Sequence, residues 1–430
     1  MVEVRRPPYG RNPALAAHGV RARREIVEAA RELFGRKGYM GTTVEAIGEA
    51  TGRSGAAVYQ YFEGKVEIFE AFMRESTAEL ITLGEQFPVL TDDSSGVQAL
   101  QVWVGDLMQV FLRHKGTFLG WAQVQFNEPK LAAIGQANLK RFQQSIVERL
   151  VASGAHPPTP GVVPVGILSF TQWSLFMYVA QRPEFSQERL ERAVAATLHA
   201  YLFTPAESAG RWPATSDGDE LPSIPLGDVL GLRRPVTARG VGTVQRILLA
   251  ASERFSQAGY NGTSLSDIAA TAGVSHGSVY TYWADREALF TTLAQDACAA
   301  LELRVQGLDQ ALRTPDGLSS WLHNWVAMLD VHGAVLFTWT HEVIDLPGLS
   351  DLTERMNSAM NAAADTFIDR SALAPMEDPK AMCIAVRAIL ADVPYVLSTQ
   401  LGILERDAAY DFVAGLLREG VGIVSVGDPQ

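Results

Sequence analysis

The chain has 430 residues, 47% of them apolar, and a formal net charge of −12. It is too long for one ordinary core and too apolar for a disordered polymer, so two or more packed domains are expected. Its two cysteines, Cys298 and Cys383, exclude a disulfide framework and point to a reducing, cytoplasmic setting.

Residues 1–20 hold prolines, glycines and no apolar period, and are expected to form a basic arm. Up to Arg24 there are six arginines (Arg5, Arg6, Arg11, Arg21, Arg23 and Arg24) against one acid, Glu3. No apolar run accompanies them, so no signal peptide is expected. A first domain over 21–70 opens with a helix from about Val20 to Lys37, its inward face Ile26, Ala29, Ala30, Leu33 and Phe34, stopped by Gly38. Two short helices follow within Thr42–Phe62. Lys65 then starts a long helix toward Glu85, linking into a body over 71–204. Proline and glycine breaks place body helices near 95–114, 117–126, 128–153, 161–181 and 186–203. No alternating pattern competes, so the fold class is all-α. Residues 162–180 are apolar enough to be weighed as a membrane span, but Pro164, Gln172 and several hydroxyls favour a buried helix.

A proline- and glycine-rich stretch over 205–240 reads as a linker. Beyond it the programme runs again, with a head over 241–291 and a body over 292–430. A linking helix is expected at 286–305, then helices near 316–332, 333–344, 347–371, 378–403 and 407–424. Thr263–Trp283, TSLSDIAATAGVSHGSVYTYW, reads as two helices around a glycine turn. Ser264 and Asp267 are spaced as a capping box, Gly273 suits the left-handed position, and Ser275 caps the second helix. Moved back 221 residues, the match is TTVEAIGEATGRSGAAVYQYF, and sixteen of forty-four positions between Ile26–Phe69 and Ile247–Phe290 are identical. This is a duplication. The bodies echo each other too: His114 and His332, Trp103 and Trp321, and Pro129 and Pro347 each lie 218 apart.

The run I-x-x-A-A-x-x-x-F-x-x-x-G-Y-x-x-T, then I, G-x-S, Y-x-Y-F and a basic residue, resembles the TetR family of transcriptional regulators, and both halves show it. The resemblance implies three-helix DNA-binding heads, helical domains that bind a small effector, and an interface between two such units. It makes this chain a tandem of two fused repeats. The acidic total agrees with that, because basic residues gather beside the heads (Arg233, Arg234, Arg239 and Arg246 before the second).

Within a helix-turn-helix unit the second helix can enter the major groove. The second head presents His276, Ser278 and Thr281 beside Tyr280 and Tyr282. The first presents Gly55, Ala57 and Gln60 beside Tyr59 and Tyr61. Gln can read adenine, Ala can touch a thymine methyl, and Ser or Thr can donate to several groups. Gly55-Ala56 opens the first helix weakly, and Arg53, where the family usually has valine, is expected on a phosphate. By resemblance Thr42, Thr263, Tyr61 and Tyr282 are phosphate contacts, with Lys65 and Arg286 as phosphate-binding cations. Thr43, Ser54, Ser264 and Ser275 complete the expected DNA-facing set. Capping for the threonines and head packing for the tyrosines are the structural alternatives.

The bodies are rich in aromatic residues. Trp103, Phe111, Trp121, Phe126, Trp173 and Phe176 in the first, and Trp325, Trp339 and Tyr395 in the second, are candidate walls for an apolar or aromatic effector, with ordinary core as the alternative. His323, His332 and His341 recur every nine residues, about 900° around a helix, with a turn expected between them, so no metal site is expected and no cofactor. No nucleophile–base pair or phosphate-binding loop argues for an enzyme. The expected function is therefore a repressor released by a small apolar molecule. It binds a non-palindromic operator as an intramolecular pseudo-dimer, with further self-association open. A constitutive DNA-binding protein with a vestigial ligand domain, or an enzyme on a helical scaffold, are the alternatives.

Overall fold

The computed structural model describes residues 13–155, 157, 161–204, 232–233, 240–314, 317–343, 345–373, 377–400 and 406–423. Arg5, Arg6, Arg11, Arg234, Arg239, most of the linker and the end of the 378–403 segment lie outside the described residues. Within them the chain is helical, the one extended pairing being an isolated bridge between Ser371 and Ile423.

The first head consists of α1 (Pro13–Lys37), α2 (Val44–Ala50) and α3 (Gly55–Val58), and α4 (Lys65–Glu85) leads out of it. Helix α1 begins at Pro13 rather than near Val20; proline suits a first helical position, and Ala14, Leu15, Ala16 and Ala17 are strong helix formers. The first body holds α5 (Ser94–Arg113), α6 (Lys115–Asn127), α7 (Pro129–Ala152), α8 (Val163–Gln181) and α9 (Gln187–Phe203). Helices α10 (Val241–Ala258), α11 (Leu265–Thr271) and α12 (His276–Tyr282) form the second head, and α13 (Arg286–Gln306) leads out of it. The second body holds α14 (Leu308–Ala311), α15 (Gly317–Glu342), α16 (Ser350–Ile368), α17 (Pro379–Leu390), α18 (Asp392–Tyr395) and α19 (Arg406–Gly415).

Two expectations need correction. The short α14 was not anticipated. The expected helices 316–332 and 333–344 are one continuous α15, because Gly333 sits under the Tyr395 ring instead of breaking the chain. All three histidines therefore share one helix with no turn between them, and their spacing still puts successive ones on opposite sides.

The repeats pair through apolar helices, one of which is the 162–180 segment expected to be a buried helix. Helix α8 packs on α17 and α18, and α9 packs on α17 and on the π turn Leu416–Gly420. Phe412 covers Gly166, where a Cβ would lie 2.2 Å from the ring, and stacks edge-on against Tyr201. Arg189–Asp378 and Arg192–Glu377 ion pairs, at 2.8 and 2.9 Å, flank this contact. Two stretches, Val163–Gln181 and Pro379–Ser398, are long and apolar enough to cross a membrane, and 67% and 83% of them is buried inside the protein. Burial between repeats is thus where their apolar surface goes.

Candidate nucleic-acid interface and effector cavity

Each head is built by the same local chemistry. Thr43 caps α2, accepting from the Ala46 N–H, and Ser264 caps α11 in a full capping box with Asp267. Gly52 and Gly273 take the turn between the paired helices at φ of 66° and 64°, a region that costs any L side chain. Ser54 and Ser275 then cap the second helices, accepting from Ala57 and Ser278 N–H groups. Val58 and Val279 face inward, fully buried.

The exposed faces differ. Helix α12 spans seven residues and presents His276, with its ring against Tyr280 at 4.8 Å. Ser275, Gly277 and Tyr280 are also exposed, while Ser278 and Thr281 are half-buried, Thr281 donating to the Gly277 carbonyl. Helix α3 spans four residues, and the chain tightens after it: Gln60 and Tyr61 N–H groups donate to Ala57 and Val58, three residues back. Ser54, Ala56, Tyr59 and Gln60 are exposed there, and Gly55, Ala57 and Tyr61 are half-buried. Tyr59, 54% exposed, and its counterpart Tyr280, 40% exposed, are the large side chains of the two outer faces. Tyr59 was expected only as a neighbour of the reading residues, although its match to Tyr280 was visible. Arg233 is exposed and donates to the Tyr280 and Tyr282 carbonyls, placing a cation at the end of α12.

Several expected phosphate contacts are committed inside the heads instead. Thr42 and Thr263 are 1% exposed, and their hydroxyls donate to the Gly38 and Gly259 carbonyls at 2.8 and 2.7 Å. Lys65 Nζ donates to the carbonyls of Tyr39 and Thr42 while lying 4.2 Å from the Tyr39 ring centre. Arg286 repeats this on Tyr260 and Thr263, lying 4.0 Å from the Tyr260 ring centre. These cations clamp the turn between the first and second helices of each head, and burial lowers the Lys65 pKa. Arg53 pairs with Glu25 at 2.7 Å and donates to the Thr51 carbonyl. Tyr282 is buried against Trp283. Among the described residues Arg24 and Arg246 remain exposed beside the heads.

At the seam between the repeats two matching side chains meet. Gln123 accepts from the Met40 N–H at 2.8 Å, and Glu342 accepts from the Tyr260 N–H at 2.8 Å, each holding the turn of its own head. Gln123 Nε2 also donates to Glu342 at 3.2 Å. Burial pushes the Glu342 carboxyl up to about 7, against the lowering effect of these hydrogen bonds.

The first body contains a cavity of about 160 Å³ between α4, α6, α7 and α8, closed at one side by Val396 of the second repeat. Of the candidate wall residues, Phe111, Trp121 and Trp173 line it. The other candidates sit elsewhere. Trp103 is core, its indole N–H donating to the Leu83 carbonyl and its ring edge-on to Phe87. Phe126 is 45% exposed, and Phe176 is buried behind Trp173. In the second body Trp339 donates to Thr353. Trp325 and Tyr395 line a smaller space of about 40 Å³, with Trp325 bonded to the Leu390 carbonyl and the buried Arg387 to Asn357 and Asn361.

Comparison with known proteins agrees with the paired heads. A family profile described as bacterial regulatory proteins, tetR family, matches residues 26–72 and again 247–293. The chain is 43% identical over 61 residues to the HTH-type transcriptional repressor AcnR of Corynebacterium efficiens, covering 14% of this chain and 32% of that protein. It is 32% identical over 83 residues to the uncharacterized HTH-type transcriptional regulator YdgC of Bacillus subtilis, 19% of this chain and 40% of that one. Over 134 residues it is 28% identical to the HTH-type transcriptional repressor Rv1474c of Mycobacterium tuberculosis, 30% of this chain and 70% of that one. The chain thus spans about a third of the length of the first curated relatives it matches.

Proposed function

Because this chain belongs to the TetR family, a family of transcription regulators and not of enzymes, with its DNA-binding domain present twice, we propose that it is a cytoplasmic repressor that occupies its operator as an intramolecular pseudo-dimer. What carries this reading is the pair of heads. Each has a capped helix with an exposed outer face, and both are held by matching clamps on one interlocked body. Proximity on one polypeptide replaces the second chain that a symmetric dimer requires. Because Gly55, Ala57 and Gln60 face DNA where His276, Ser278 and Thr281 do so in the other head, the half-sites differ in sequence. Their centres lie about 34–36 Å apart, or a near multiple, on one face of the duplex.

A small apolar effector in the first-body cavity releases the DNA by favouring a head separation that misfits the groove. Helix α4 runs from the clamp residue Lys65 into the wall of that cavity at Met73 and Leu80, and α6, which packs on α1, supplies Thr117 and Trp121. Footprinting with base-by-base mutation and mass measurement of the complex tests the proposal. One chain on a non-palindromic site is expected. Two chains on a perfect inverted repeat, both bound through the second head, overturn it.

A further inference from the structure

Four polar atoms around the first-body cavity are buried without a hydrogen-bond partner: Thr117 Oγ1, Gln125 Nε2, Ser169 Oγ and Trp173 Nε1. Thr117, Ser169 and Trp173 are each at most 5% exposed. Unpartnered buried donors are costly and uncommon, and four of them line this one cavity, beside Ser76, Thr77, Gln136, Asn138 and Gln172 among its apolar walls. All four groups can donate: an indole N–H, an amide NH2 and two hydroxyls. Among the described residues no Asp, Glu, Lys, Arg or His lines the cavity, so they offer a charged molecule no counter-ion there.

Among the described residues the second body shows no matching set of hydroxyl, amide and indole donors. The position 218 residues after Thr117 is Val335, which is buried and apolar, and the indole of Trp325 is already bonded. A space of about 40 Å³ there is walled partly by Arg387 and Asp392; the terminal nitrogens of Arg387 are bonded to asparagines while its Nε is unpartnered, and Asp392 is bonded to His341.

We infer that the chain binds a single molecule per pair of repeats, in the first body only. The ligand is a neutral, largely apolar or aromatic compound carrying a hydrogen-bond acceptor such as a ketone or lactone oxygen, received by the donors of Trp173, Gln125, Thr117 and Ser169. This rests on the effector reading above and adds the ligand's class, its site and its asymmetry. Because Val396 of the second repeat lines the cavity, the ligand touches both halves, and the wall helix α6 packs on α1 of the first head and on α10 of the second.

The test uses the full chain and three probes of one shape: benzophenone, which has the acceptor; diphenylmethane, which lacks it; and 4-benzoylbenzoate, which adds a charge. Titration by calorimetry and native mass spectrometry should give one equivalent of benzophenone. Diphenylmethane should bind roughly three- to tenfold more weakly, the worth of one neutral hydrogen bond, and benzoylbenzoate should not bind measurably. Thr117→Val should raise the thermal midpoint of the ligand-free protein while weakening benzophenone, a pair of opposite signs that a merely structural hydroxyl would not give. Trp173→Phe should leave the fold intact and weaken the ketone more than the hydrocarbon. Two equivalents, equal affinity for ketone and hydrocarbon, preference for the carboxylate, or no saturable binding each overturn the inference. If benzophenone binds once as described and operator affinity does not change, the site stands and the effector-release reading falls. Release accompanied by two equivalents has the reverse meaning.

Discussion

The two heads agree on the inside and differ on the outside. Inside, Phe34 and Phe255, Tyr39 and Tyr260, and the Lys65 and Arg286 clamps occupy matching places with matching partners. Outside, one recognition helix has seven residues and the other four. The crossing beneath them differs as well. A Cβ on Gly48 would fall 2.9 Å from the Arg53 carbonyl oxygen, whereas Ala269 carries its methyl at the equivalent place, 3% exposed. The cores also connect differently. The first head gathers its own apolar cluster with Val124 and Leu131 of the body, while the second head's core runs without interruption into its body. Duplication has kept the aromatic contacts and the clamps, while the exposed helices and the crossing beneath them have diverged.

That contrast can be broken most sharply at the helix crossing. Gly48→Ala should destabilise the first head by about 3 kcal/mol, because backbone and not a flexible side chain blocks the methyl. Ala269→Gly should cost only about 1 kcal/mol, the helix-propensity difference. Denaturant melts, and selective loss of protection at one half-site, would show the asymmetry; equal costs would remove it.

The seam offers the next effect. The folded Glu342 carboxyl titrates near 7, above its ordinary value of 4.5, so the folded state holds a proton that the unfolded chain has released. Stability from this group should therefore fall as pH rises from about 4.5 to 7, by about 3 kcal/mol, and stay level above that. Glu342→Gln, which copies Gln123, should flatten that slope, as read from melts across the window.

The clamps come third. Lys65→Ala or Arg286→Ala should each cost about 1–2 kcal/mol of head stability by stranding two carbonyl acceptors. The dependence of DNA binding on salt should barely change. A slope flatter by about one unit would instead mean a phosphate contact.

The smallest effect concerns reading. Gln60→Ala and Thr281→Ala should each relax preference within their own half-site alone, by about 1 kcal/mol at a base pair, in a competition assay with mutated operators.

Caps and some helix limits were legible in the sequence because they depend on neighbours along the chain, whereas the start of α1 and the continuity of α15 were not. The Ser264–Asp267 box, the Pro129 start and the stop before Gly38 all came from local spacing. The destinations of long polar side chains were not. Lys65 reaches carbonyls 26 and 23 residues away, and Arg53 reaches Glu25, 28 residues back. Periodicity says which face a residue occupies, not which tertiary partner waits there. The cavity was half legible: its aromatic walls stood out, but Thr117 and Ser169 lie on helices buried nearly all round, where a hydroxyl leaves no periodic trace.

The unlike pair at the seam bears on which molecules this chain can join. In a dimer of identical subunits, a residue near the two-fold axis meets its own copy and must tolerate it. Here Gln123 meets Glu342, an amide donor against a carboxylate. Two chains that docked through their second repeats would bring carboxylate against carboxylate in a buried place, and two first repeats would lose the charge-assisted bond. Within a single polypeptide the contact pairs an amide with a carboxyl group. Fusion thus did more than tether the halves: it allowed the contact between them to be made by two unlike side chains, which a dimer of identical subunits cannot place about its axis.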